Sequence, residues 1–275
     1  MSSPISLSSP RWIWIFVIVT FLLSALFDYP IFGPKPLSDL GGLYLWLVMW
    51  CPGIVALGLV ALGRTKVREL GLLNTGGIHL AWGLLLPFAI TVPIYLLASM
   101  TCFCTWAPAG LKGHVLGSLL LLPRALARAL GEEIGWRGFL FPQLRQRCSF
   151  PVASLITGFI WALWHFAVIV QGGYLDAAQV PLSLALVFFT LGLVGQSFLY
   201  GWLRERSASV WPAALFHGVF NWFTQRVVSL VLQPGPKASL GVGEMSIGFA
   251  VMGILLAVVL WKGPRREPVA TIEEP

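Results

Sequence analysis

Long apolar runs, each near the length of a membrane crossing, alternate along the chain with short polar stretches rich in Gly, Pro and Arg. An α-helix rises 1.5 Å per residue, so about 20 apolar residues cross the ~30 Å hydrocarbon core of a bilayer. Eight stretches approach that length: Trp12 to Phe27, Leu43 to Leu62, Leu80 to Met100, Val115 to Arg137, Val152 to Val170, Leu182 to Leu203, Val210 to Leu232 and Ile247 to Trp261. The pattern predicts an all-α fold, a polytopic membrane helix bundle of about eight transmembrane helices. The fourth stretch is the least regular, because Pro123, Arg124 and Arg128 interrupt it, and a broken or interface-skimming helix is expected there. The first run has a polar lead and Arg11, as a secretory leader does, but no small-x-small cleavage site precedes Asp28, and we read it as an uncleaved first span.

Composition agrees with this division. Of 275 residues 57% are hydrophobic and only 11% are charged, against about 25% charged in soluble domains. The net charge of +7 does not imply nucleic acid, because the basic residues sit in short loops between apolar runs, where they act as topology signals. Arg11, Arg64, Lys66, Arg68, Arg137, Arg145, Arg147, Arg204, Arg206, Lys262, Arg265 and Arg266 fall on one side of the predicted bundle, and only Lys35, Lys112 and Lys237 fall in the loops of the other. Both termini are therefore expected in the cytoplasm. Residues 1–262 read as a single transmembrane domain in contact with the lipid bilayer, and residues 263–275 as a short disordered cytoplasmic tail. Cys51, Cys102, Cys104 and Cys148 show no metal-ligand spacing, and a disulfide across the one residue between Cys102 and Cys104 would be strained.

Against this apolar background Gly131-Glu132-Glu133-Ile134-Gly135-Trp136-Arg137-Gly138 stands out. A charge in hydrocarbon costs at least ~2.5 kcal/mol on insertion scales, so three together imply pairing, water or chemistry. Glu133 and Arg137 are four apart with the acid first, the better order for a helical pair, whereas Glu132 points about 100° away and is left as a candidate base. His165 answers the cluster in the fifth span, four residues after Trp161, and His217 in the seventh, four residues before Asn221. Counting from the basic ends of the spans puts Glu132, His165 and His217 roughly 12, 20 and 10 Å deep, so they are expected to converge below the cytoplasmic surface.

A carboxylate, two imidazoles and a carboxamide suit attack of activated water on an amide. Glu132, sharing the water with His165, would act as general base, and His217 with Asn221 would donate hydrogen bonds to the oxyanion. No Ser or Cys has the setting of an activated nucleophile. Two rivals stand beside this reading. Glu132, His165 and His217 are also a possible ligand set for a catalytic metal, although no His-Glu-x-x-His motif is present. Alternatively the same polar groups are interhelical glue in a non-catalytic membrane scaffold or immunity protein.

Three motifs, Glu132-Glu133-x-x-x-Arg137, Trp161-x-x-x-His165 and His217-x-x-x-Asn221, together resemble those of the CPBP family of intramembrane glutamic endopeptidases, which includes CAAX prenyl proteases type II, bacteriocin-processing and abortive-infection proteins. They lie between residues 128 and 221, and Glu69-Leu70-Gly71-Leu72 adds to the likeness. The resemblance implies a membrane peptidase without a cofactor or metal, acting on a lipidated or membrane-bound peptide or protein, here expected in a bacterial inner membrane. It maps Glu132 to the base, His165 to its water-positioning partner, and His217 and Asn221 to the oxyanion site. Glu133 and Arg137 take a mainly structural part. Trp161 departs from the pattern, where Phe is more usual, and Arg124 and Arg128 lie outside it.

Overall fold

The computed structural model describes residues 9–32, 41–101, 103–106, 116–171, 180–235 and 241–264. The expected tail beyond residue 264, together with Lys35, Cys102, Lys112, His114 and Lys237, lies outside the described residues. The protein is an integral membrane protein with an all-α helical bundle. Among the described residues five helices are long and apolar enough to cross a membrane: α1 (Arg11–Phe32), α2 (Gly41–Ala61), α3 (His79–Met100), α6 (Phe150–Val170) and α7 (Leu182–Ser207).

The other three predicted spans are built differently. The fourth contains α4 (Leu122–Glu133), which passes into a π-helical turn (Ile134–Leu140) and then a short α5 (Phe141–Arg145). Pro123 opens α4 within its first turn, where a missing N–H costs nothing, so it starts the helix and does not break it. The seventh is α8 (Trp211–Trp222), a π-helical turn (Phe223–Val227) and α9 (Val228–Val231). The eighth, α10 (Ile247–Val259), has 13 helical residues and is capped by the Ser246 hydroxyl, which accepts from Phe249 N–H. Two short strands, β1 (Cys104–Trp106) and β2 (Leu232–Pro234), pair antiparallel with Trp106 opposite Leu232 and Cys104 opposite Pro234. They tie the end of α3 to the end of α9.

Helices that carry the site are brought close by glycine. A Cβ at Gly195 of α7 would collide with the Gly253 backbone of α10, and one at Gly253 with the Leu191 and Gly192 backbone. The Gly192-x-x-Gly195 face is thus filled within the chain by α10. Gly131, beside the acidic pair, packs against the Trp50 ring of α2.

One end of the bundle gathers the basic loops. Arg204 donates to the carbonyls of Arg137 (3.0 Å) and Glu69 (2.8 Å), Arg145 pairs with Glu205, and Asn74 Nδ2 donates to Ser207 O at 2.9 Å. Here the Glu69-Leu70-Gly71-Leu72 stretch forms a tight turn, with Leu70 fully buried and Gly71 at φ 75°. Its backbone anchors the end of α7 directly beneath the π-helical turn.

Candidate active site

α4 delivers both acids into the bundle interior, and the π-helical turn that follows holds Arg137 fully buried. A π turn widens the helix by one residue and re-aims side chains, which is why such turns recur at functional sites. Arg137 Nη1 donates to Glu133 Oε1 at 3.1 Å, and His217 Nδ1 lies 2.9 Å from the same oxygen. Glu133 is therefore shared between a guanidinium and an imidazole, and its part exceeds the structural pairing expected from spacing. A carboxylate oxygen accepts, so His217 carries a proton on Nδ1.

Glu132 has a separate environment. Its Oε2 accepts from Trp161 Nε1 at 2.8 Å. Trp161 is the hub of the site: its ring meets those of His165, His217 and Tyr200 edge-on at 5.8, 5.4 and 5.4 Å, and the Arg137 guanidinium lies over it at 4.3 Å. A Phe at this position would keep the ring contacts and lose the donor to Glu132. His165 Nδ1 lies 2.9 Å from the Trp161 carbonyl, which only accepts, so that nitrogen bears the proton and Nε2 of the neutral ring keeps its lone pair. Phe189 and Trp164 flank the imidazole edge-on.

A cavity of about 760 Å³ collects these groups. Glu132, Trp161, His165, His217 and Asn221 all line it, while Glu133 and Arg137 stand behind them. Glu132, His165 and His217 share the cavity, but among the described residues no three such side chains converge as a metal-ligand set. The lining continues to Arg124, Gln225, Arg226 and Ser229, which are exposed. The cavity thus opens at the end of the bundle away from the basic loops. The depths counted along the helices do not say which end a cavity opens to.

Sequence reasoning passed over Tyr200 and Gln196 of α7. Both line the cavity, and Tyr200 lies under the Arg137 guanidinium at 4.2 Å. The signal was present as two long polar side chains four apart in a mostly apolar span. Tyr200 OH, Glu133 Oε2, and Arg137 Nε and Nη2 are buried without a hydrogen-bond partner among the described residues. Of these residues only Tyr200 lines the cavity, where its hydroxyl has capacity for water or a polar ligand.

Residues 114–223, which contain every one of these candidate residues from Glu132 to Asn221, match the family described as type II CAAX prenyl endopeptidase Rce1-like. Over 99 residues the chain is 33% identical to CAAX prenyl protease 2 of Methanococcus maripaludis. That match covers 35% of this chain and 36% of the relative, so the likeness spans little more than a third of either protein.

Proposed function

We propose, on the premise that this chain belongs through residues 114–223 to the Rce1-like family of type II CAAX prenyl endopeptidases, that it is an intramembrane endopeptidase acting on a lipidated or membrane-bound peptide or protein. The observation that carries the proposal is that Glu132, His165, His217 and Asn221, contributed by three helices, line one cavity.

Glu132 takes a proton from a water molecule that also donates to His165 Nε2, and the resulting hydroxide attacks the carbonyl carbon of the scissile amide. His217 Nε2–H and the Asn221 carboxamide donate to the oxyanion, where each donor is worth ~10² to 10³ in rate. Glu133 keeps His217 charged and aimed, so that the nitrogen opposite the carboxylate is a donor. As the tetrahedral intermediate collapses, Glu132 returns the proton to the departing amine, and the C–N bond breaks with no covalent enzyme intermediate. Trp161 holds Glu132 throughout. The site of action is proposed to be a bacterial inner membrane.

Cleavage of lipidated reporter peptides by purified wild type and Glu132→Gln, with and without a chelator, tests this. Wild type is expected to cut at a rate indifferent to chelation, and Glu132→Gln to lose at least ~10²-fold while melting normally. Activity abolished by chelation and restored by zinc would move Glu132, His165 and His217 to the role of metal ligands. A Glu132→Gln protein that still performs its cellular task would favour a scaffold.

A further inference from the structure

Three arginines line the mouth of the cavity, at the end of the bundle away from the basic loops: Arg124 and Arg128 of α4, and Arg226 of the π-helical turn after α8. Arg124 and Arg226 are exposed, whereas Arg128 is half-buried and its Nε is shielded without a hydrogen-bond partner. The first two are close enough to repel the third. Among the described residues none of them forms an ion pair with a carboxylate. Glu244, also in the lining, accepts from Gln225 Nε2 at 3.0 Å. Arg124 stands in the first turn of α4, whose Leu121 N-cap makes no side-chain bond, and the helix dipole there disfavours a cation and favours an anion. Basic residues also run against the topology signal at this end of the bundle. Three such groups held together are costly unless an anion comes between them.

The surroundings say what carries that anion. Leu116, Leu119, Leu120 and Leu121, just before Arg124, are all exposed, Leu120 at 81%. In a membrane protein such side chains meet acyl chains. The Trp222 indole donates to Ser118 O at 2.7 Å and fastens this leucine-bearing stretch to α8, one turn before Arg226. The guanidinium cluster therefore stands at the edge of a lipid-facing apolar surface, and a membrane lipid joins a phosphate to apolar tails in one molecule. We propose that Arg124, Arg128 and Arg226 bind the phosphate of an anionic membrane lipid at the cavity mouth, with its acyl chains against Leu119 and Leu120. Guanidinium suits the task because its planar fork donates paired hydrogen bonds to phosphate oxygens. The site does not depend on the hydrolytic reading, since lipid binding is measured without turnover.

The experiment titrates the purified, delipidated full chain in neutral detergent with phosphatidylglycerol or with phosphatidylcholine of the same chains, and reads bound lipid by native mass spectrometry. Wild type is expected to bind phosphatidylglycerol at least about tenfold tighter, and Arg128→Gln or Arg226→Gln to lose at least about fivefold of that affinity with phosphatidylcholine unchanged. Removing a cation that has no partner should not lower the melting temperature. Arg226→Gln, on an exposed side chain, carries the comparison alone if Arg128→Gln does not fold. Lys66→Gln and Lys262→Gln, at the basic end, are expected to keep the full preference. Equal binding of the two lipids by wild type overturns the proposal, as does a preference that survives both arginine substitutions or is abolished by the two lysine ones. Inorganic phosphate separates the two sources of the anion: displacement of phosphatidylglycerol by the free ion at matching concentration would mean that the tails add nothing, and would overturn the lipid as ligand.

Discussion

Glu132 and Glu133 are neighbours in sequence with different fates, and the difference is made by single residues. Glu133 is compensated by Arg137 and His217, while Glu132 is met by one indole N–H. Glu133→Gln should therefore leave Arg137 as an uncompensated buried cation and destabilise the fold by about 3 kcal/mol, with activity lost as well. Thermal melting in detergent separates this from Glu132→Gln, which is expected to melt like wild type. Trp161→Phe should keep the aromatic packing and remove the donor to Glu132. A hydrogen bond to a charged group is worth about 1.5 to 3 kcal/mol, so kcat is expected to fall by at least about tenfold with KM little changed. A fall confined to KM would mean that the indole binds substrate and does not position Glu132. At this scale the Glu133–Arg137 pair was legible because helical spacing determines which side chains meet. The sharing of Glu133 with His217 was not, since 84 residues separate them and only the packing of α4 on α8 unites them.

Apolar length revealed the elements that are long and regular, and missed those whose irregularity is the point. α1, α2, α3, α6 and α7 follow from composition, because a run of twenty apolar residues has no other way to satisfy its backbone in lipid. The π-helical turns at Ile134–Leu140 and Phe223–Val227 have no such signature. The β1–β2 pair was equally invisible, at three residues a strand. Glycine is half-legible: Gly192-x-x-Gly195 is a spacing that permits close helix packing, but the sequence does not say what fills it. Because Gly195 meets backbone of α10 and not a flexible side chain, Gly195→Ala must push the two helices apart. We expect a loss of about 1 to 3 kcal/mol, read by thermal melting, with Gly58→Ala of α2, which has open space, as the neutral comparison.

Across the whole molecule two ends differ in charge and in access. Arg64, Lys66, Arg68, Arg145, Arg147, Arg204 and Arg206 cluster at one end, joined there by Arg11, whose neighbour Trp12 lies beneath the Arg64 guanidinium at 4.8 Å. The cavity opens at the other end, past Gln225 and Ser229. If the basic end is cytoplasmic, as the distribution of Lys and Arg predicts, a substrate of the proposed peptidase would reach Glu132 from the opposite face of the membrane. A peptide threaded or anchored on that face would then be preferred to one modified in the cytoplasm. Cysteine accessibility decides it, on a background in which Cys51, Cys102, Cys104 and Cys148 are replaced by Ala. Ser229→Cys should react with a membrane-impermeant maleimide in intact cells, and Lys66→Cys only after permeabilisation. The reverse pattern would put the cavity mouth in the cytoplasm and show that the three arginines in its wall, not the basic loops, set the orientation of the bundle.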